Sequence, residues 1–221
     1  NNKKWSTIEV LESKRQILIL ARAPHPDLAA IRMAAESNRH QATSVTWLDD
    51  LQSGQSLPDH DVLIVHHIDP PSLPENILEN IRESRSVWMF GNVNAEWNNW
   101  GTDLVGFELD VDPLITEAQG QTPDRFESFP LPVDLEVKLS QWPPLACPTG
   151  SYQITPGIAS ALHQKIGPVQ TEWPLWAVRE AENQRVAVTI GEGIWRWRMS
   201  EVAQSNDGEF TFDALVNRTI Q

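Results

Sequence analysis

His25 and Asp27 stand two positions apart in Ala23-Pro24-His25-Pro26-Asp27, and His66 and His67 are adjacent in Val65-His66-His67-Ile68-Asp69. Neutral imidazole and carboxylate are common ligands of a catalytic zinc, which takes about three protein donors and leaves one position open. His25 and Asp27 would supply two of them. A histidine of the 66–67 pair would supply the third from another part of the chain. The same residues also have a purely structural reading, in which His25 precedes a helix and Asp27 complements the N–H groups of its first turn.

Gly191-Glu192-Gly193 runs directly into Ile194-Trp195-Arg196-Trp197-Arg198. Two glycines beside a carboxylate permit close approach of a backbone or ligand, and alternating Trp and Arg can stack on a sugar or an aromatic group. Alternatively, the glycines turn a strand into a helix, Trp195 and Trp197 cover a sheet, and Arg196 and Arg198 pair with acids. Trp97, Trp100 and Trp142, with Asn92, Asn94, Asn98 and Asn99 nearby in sequence, form a candidate partner surface for protein or carbohydrate if exposed. If buried, they anchor a loop to the sheet edge. Cys147 lies between prolines in Pro143-Pro144-Leu145-Ala146-Cys147-Pro148 and reads as a small buried thiol in a loop.

Continuous apolar runs at 16–21 and 62–65, with 43–47 and 87–90, have the length and composition of strands covered on both faces. Pro26 and Asp27 open a helix whose stripe is Leu28, Ile31 and Ala35, and Ser72 with Glu75 reads as a capping box before Ile77, Leu78 and Ile81. A helical stripe is read at Ile158, Ala161, Leu162 and Ile166, ended by Gly167-Pro168. Paired strands follow at 176–178 and 185–190, and Phe212, Leu215, Val216, Thr219 and Ile220 mark a last amphipathic helix. Strands alternating with helices predict an α/β fold, a three-layer flavodoxin-like sheet that is mostly parallel. Residues 1–15 read as a linker or an edge strand around Trp5, Ile8 and Val10. Residues 16–221 read as a single domain, with 92–150 an irregular Pro-rich insertion.

In open α/β sheets ligands bind beyond the carboxyl ends of the strands. That rule makes His25, Asp27, Asn92, Asn94, Glu192 and Trp195 the candidate ligand rim. The formal charge of −13 and the pI near 4.8 disfavour a nucleic-acid partner. No apolar run reaches the roughly 20 residues of a membrane span. One cysteine excludes an internal disulfide framework, and no cofactor is expected. The chain starts at Asn1 without a leader, which reads as a trimmed product or a segment of something longer.

Two families share motifs with this chain. The segment 23–27 resembles the opening zinc motif of the N-acetylglucosaminyl deacetylases, in which the histidine and the first of two adjacent aspartates have metal and base roles; here Leu28 follows Asp27, and no later His-x-x-His is present. The fuller resemblance is to the class I glutamine amidotransferase-like domains, especially non-catalytic versions in large bacterial envelope proteins. It extends from Ile17-Leu-Ile-Leu-Ala-Arg-Ala-Pro-His-Pro-Asp27 through Val87-Trp-Met-Phe-Gly91 to Gly191-Glu-Gly-Ile-Trp-Arg-Trp197. Working members place a cysteine on a sharp turn after a central strand, activated by a late histidine with a carboxylate behind it. Here that turn reads Gly91-Asn92-Val93-Asn94, and Ile190-Gly191-Glu192 stands where the histidine and glutamate belong, so the triad is absent by residue type. The resemblance implies a non-enzymatic recognition or scaffolding module of a membrane-anchored, extracytoplasmic (periplasmic) bacterial protein. Its partners would be an unknown protein or carbohydrate and flanking immunoglobulin-like or von Willebrand-like domains of the same chain. The alternative is a metal-dependent, deacetylase-like hydrolase using His25 and Asp27.

Overall fold

The computed structural model describes residues 14–51, 54–181, 183–204 and 210–221; the edge strand read around Trp5, Ile8 and Val10 falls outside them. The apolar runs become four parallel strands: β1 (Arg15–Ala21), β2 (Gln41–Trp47), β3 (Val62–His66) and β4 (Ser86–Phe90). Ile19 of β1 lies between Val45 of β2 and Ile64 of β3. Helix α1 (Pro26–Glu36) links β1 to β2, and α2 (Glu75–Glu83) links β3 to β4. The capping box does not form. Ser72 belongs to a 3-10 turn, where its hydroxyl donates to the Asp69 carbonyl, and α2 starts after Pro74 with no side-chain cap.

Residues 92–150 hold regular structure rather than an irregular insertion. A 3-10 turn at Trp97–Trp100 leads to α3 (Thr102–Val105), then β5 (Phe107–Gln121), α4 (Leu135–Gln141) and β6 (Leu145–Ile154). The stripe read as a helix at Ile158–Ile166 is instead β7, which is followed by β8 (Val169–Ala181), β9 (Gln184–Thr189), α5 (Trp195–Gln204) and α6 (Thr211–Ile220). The hairpin read at 176–178 and 185–190 forms as β8 and β9, and the last helix forms as α6.

Among the described residues the sheet has nine strands in the order β2-β1-β3-β4-β9-β8-β7-β5-β6. Pairing is parallel from β2 to β9 and antiparallel from β9 to β6. This mixed sheet overturns the mostly parallel three-layer flavodoxin-like expectation. The reason is local: β7, β8 and β9 follow one another as antiparallel hairpins, and β5, paired antiparallel with both β6 and β7, carries that half of the sheet on to its edge.

Alternation along β1 divides the interior. Ile17, Ile19 and Ala21 face a core closed by α1, α4, α5 and α6, whereas Leu18 and Leu20 face a second core with α2, α3 and the Trp97–Trp100 turn. Burial on both faces explains why β1, β3 and β4 read as unbroken apolar runs.

Candidate functional site

The chain turns back on itself between β1 and β3. From β1 it crosses to β2 on one side, and it then returns to β3 on the other. Such a reversal leaves a crevice at the carboxyl ends of the two strands, the place where open sheets hold ligands. His25 follows β1, while His66 closes β3 and His67 follows it, so the three imidazoles flank this crevice.

His25 caps α1, with Pro26 at the first helical position; its Nδ1 accepts from the Asp27 backbone N–H at 3.2 Å. Asp27 is 1% exposed, and its carboxylate accepts from the Gly193 N–H at 3.0 Å and the Trp195 N–H at 2.8 Å. The turn after β9 thereby docks on the turn after β1. Gly191 and Gly193 have φ of +98° and +102°, which side chains rarely adopt, and a Cβ on Gly193 would press on the Arg196 guanidinium. Burial pushes the Asp27 carboxyl above its ordinary range, against the two N–H donors and the charges of His25 and Arg196.

His66 is 1% exposed, and His67, half-buried, has φ of +52°, the only positive φ among described non-glycine residues. Its ring stacks on that of His66 with centroids 3.7 Å apart and planes 25° apart. The His25 ring is 5.2 Å from His66 and 4.8 Å from His67. One ring nitrogen from each of the three lies within 4.8 Å of the others, and Nε2 of both His66 and His67 is buried without a hydrogen-bond partner. Burial first, then the neighbouring imidazoles, lowers His66 to about 2 and His67 to about 4, so both are neutral and competent as ligands at physiological pH.

The remaining rim residues are more loosely placed. Asn92 is half-buried, and its Oδ1 accepts from the Asn94 N–H at 2.8 Å; Asn94 is exposed. Glu192 is half-buried and exchanges backbone hydrogen bonds with Ala146, while Trp195 is 36% exposed at the start of α5. Asp69 accepts from the Glu96 N–H at 3.2 Å, tying the turn after β3 to the one after β4. No residue pattern marks the Asp27 contacts with Gly193 and Trp195, because they join segments far apart in the chain.

Two groups are elsewhere than the sequence suggested. Trp97, Trp100 and Trp142 are 1%, 3% and 2% exposed, so they offer no surface to a partner. Trp97 packs against Phe107, while Trp142 stacks on Trp197 at 4.8 Å and 18°. The structural alternative for the Trp/Arg run holds for Trp197, which is buried, and Arg198, which pairs with Asp213, whereas Trp195 is exposed and Arg196 donates to the Pro144 carbonyl rather than to an acid. Cys147 belongs to β6 rather than to a loop, is fully buried, and lies 3.4 Å from the Ile190 carbonyl. Burial, then the Glu192 charge, pushes its thiol well above the ordinary range, opposite to what a nucleophile needs. A cavity of about 280 Å³ lined by Ser86, Arg185, Arg218 and Gln221 opens at the amino ends of the parallel strands, away from the histidines.

No family model matches the chain, and no curated protein matches it. Among solved structures, the fold is similar to a ThuA-like protein from Bacteroides uniformis, a protein with a class I glutamine amidotransferase-like fold. That likeness has a TM-score of 0.52 and 11% identity, and covers 98% of this chain and 95% of that one. It is also similar to the carbohydrate deacetylase Agd3, at a TM-score of 0.51 and 9% identity over 94% of this chain. A β-galactosidase from Rahnella sp. R3 aligns at a TM-score of 0.47 and 11% identity over 86% of this chain. The chain spans about a third of the length of the deacetylase and of the galactosidase. At these identities the likeness concerns the fold alone. Among the described residues no helix is long and apolar enough to cross a membrane.

Proposed function

We propose that this chain is a non-enzymatic, amidotransferase-like recognition or scaffolding module of a larger, membrane-anchored bacterial protein, with its ligand rim at the carboxyl ends of β1, β3, β4 and β9. The observation that carries this reading is the chemistry at the turn after β4. Gly91-Asn92 stands where an amidotransferase needs its nucleophile, and the chain's one thiol is sealed inside β6. His25, Asn94, Glu192 and Trp195 remain accessible at the rim and offer hydrogen bonding and stacking, the means by which proteins hold sugars and peptides. The test is titration of the purified chain with a panel of soluble saccharides and with the flanking domains of its parent protein. Saturable binding weakened about ten-fold by the pair Asn94→Ala and Glu192→Ala is expected, with no glutamine hydrolysis. Glutaminase turnover abolished by Cys147→Ala would refute the reading.

A second reading, a metal-dependent hydrolase of the deacetylase type, is favoured by the gathering of three histidines at the crevice. In its original form it assigns Asp27 to metal or base chemistry, yet both Asp27 oxygens already accept backbone N–H groups. Deacetylation of N-acetylated saccharides by the zinc-loaded chain, lost on His25→Ala, would establish it in place of the first.

A further inference from the structure

We infer that His25, His66 and His67 form a binding site for one divalent transition-metal ion, zinc by donor type, held by three imidazoles with a coordination position left open. This inference goes beyond the recognition reading and does not rest on it.

Successive residues leaving a strand point to opposite faces, so adjacent histidines do not ordinarily converge. Here they do, because His67 adopts φ of +52°, and its ring folds back onto the ring of His66. A bulky residue in that region carries local strain, which persists only where surrounding structure imposes it and which clusters at functional sites. The two rings lie 3.7 Å apart, and the Nε2 of each is buried without a partner. A buried acceptor without a partner costs about 1–3 kcal/mol, and hydrogen bonding within the described protein relieves neither nitrogen. A metal ion satisfies both.

The third donor comes from across the crevice. Nitrogen ligands about 2.0–2.1 Å from a tetrahedral zinc stand about 3.4 Å from one another. The three ring nitrogens already lie within 4.8 Å, and the His25 side chain is 27% exposed. Asp27 Oδ2 is 3.4 Å from His25 Nδ1. In this structure Nδ1 accepts from the Asp27 N–H; an ion on Nε2 requires the ring proton on Nδ1, so metal binding exchanges that bond for donation from Nδ1 to the Asp27 carboxylate, whose buried negative charge offsets part of the ion's charge. Asp27 is thus a positioning residue rather than a ligand. Three imidazoles without thiolate suit zinc, cobalt or nickel and disfavour calcium and magnesium, which take oxygen.

The test uses the full chain, stripped with chelator and then titrated with zinc by calorimetry and with cobalt by visible absorption. One ion per chain is expected, with the cobalt bands of a four- or five-coordinate nitrogen site. His25→Gln and His66→Gln should each weaken zinc binding by at least about ten-fold, while His60→Gln, a histidine bonded to Pro58 and Ser84 outside the crevice, should leave it unchanged. Because His66 is in the core, His67→Gly provides the second arm: glycine accepts the left-handed backbone, so the fold is retained and the zinc-induced rise in Tm disappears. Failure of the reloaded wild-type chain to bind zinc would overturn the site. So would wild-type affinity in His67→Gly, or an equal loss in His60→Gln. Loss of the metal site leaves ligand recognition at the rim standing, and zinc binding without a saccharide or protein ligand would sink the recognition reading alone.

Discussion

The carboxylate of Asp27 accepts a 2.8 Å hydrogen bond from the backbone N–H of Trp195, 168 positions further along the chain. This contact and its companion from Gly193 dock the turn after β9 against the first turn of α1. Asp27→Ala would leave the buried Gly193 N–H and the part-buried Trp195 N–H without their acceptor. It is expected to cost about 2–4 kcal/mol in urea unfolding, and Asp27→Asn about half as much, because the amide oxygen can still serve one donor. A loss below about 0.5 kcal/mol for Asp27→Ala would mean that the two turns are held by other contacts.

Trp142 stacks on Trp197 inside the core closed by α1, α4, α5 and α6, and the Trp197 Nε1 donates to the Pro143 carbonyl at 2.7 Å. Trp142→Ala should therefore destabilise the fold by about 3–5 kcal/mol, as removal of a buried large aromatic does. A surface tryptophan reserved for a partner would change stability by less than about 0.5 kcal/mol. Thermal unfolding of this variant separates the two.

The legible part of the fold is the part whose sequence pattern and burial coincide. β1, β3 and β4 are covered on both faces, so apart from His66 their buried positions are apolar, and α1 and α6 each bury a single stripe. β7 was illegible because its pairing with β8 shifts register at Ser160/Leu162, Leu162/His163 and His163/Lys165. Each shift resets the two-residue alternation, and Ile158, Ala161, Leu162 and Ile166 then fall by accident at helical spacing. β5 and β6 were hidden likewise, by the irregularity between Val111 and Ile115 and by Pro148 within edge strand β6. Of the site, the sequence joined His25 and Asp27 with one histidine of the 66–67 pair in a single zinc set, whereas the structure gathers His25 with both histidines. The convergence of both histidines depends on the backbone of His67, which leaves no mark on residue type.

Glu201 of α5 is 2% exposed and accepts from the N–H groups of Thr211 and Phe212 at 3.2 and 2.8 Å. It caps α6 from another helix, since Phe210 at the N-cap position offers no acceptor of its own. Lys138 of α4 approaches the same carboxylate at 3.7 Å, so one side chain joins three helices. Glu201→Ala is expected to cost about 2–3 kcal/mol, and Glu201→Gln appreciably less. Hydrogen exchange offers the finer measurement: the amides of Thr211 and Phe212 should lose protection in the alanine variant before those of β1 do. Equal loss across the whole chain would mean that α6 does not open separately.

Cys147 gives a prediction with a definite sign in pH. Burial, and secondarily the charge of Glu192, raises its thiol above the ordinary value of 9.0. Below that value the thiol is protonated in both folded and unfolded chains, and titration contributes nothing to the balance between them. Above it the unfolded chain ionises and the folded chain does not, so the unfolded state gains and stability falls as pH rises past about 9. Tyr152, raised chiefly by burial from 10.0, adds the same trend at still higher pH. Native protein should accordingly resist iodoacetamide at pH 8, with labelling at least about 100-fold slower than in urea, because the reactive thiolate forms only on opening. Mass spectrometry of timed samples measures this directly. Native labelling at the unfolded rate would place Cys147 at the surface and reopen the case for a nucleophile.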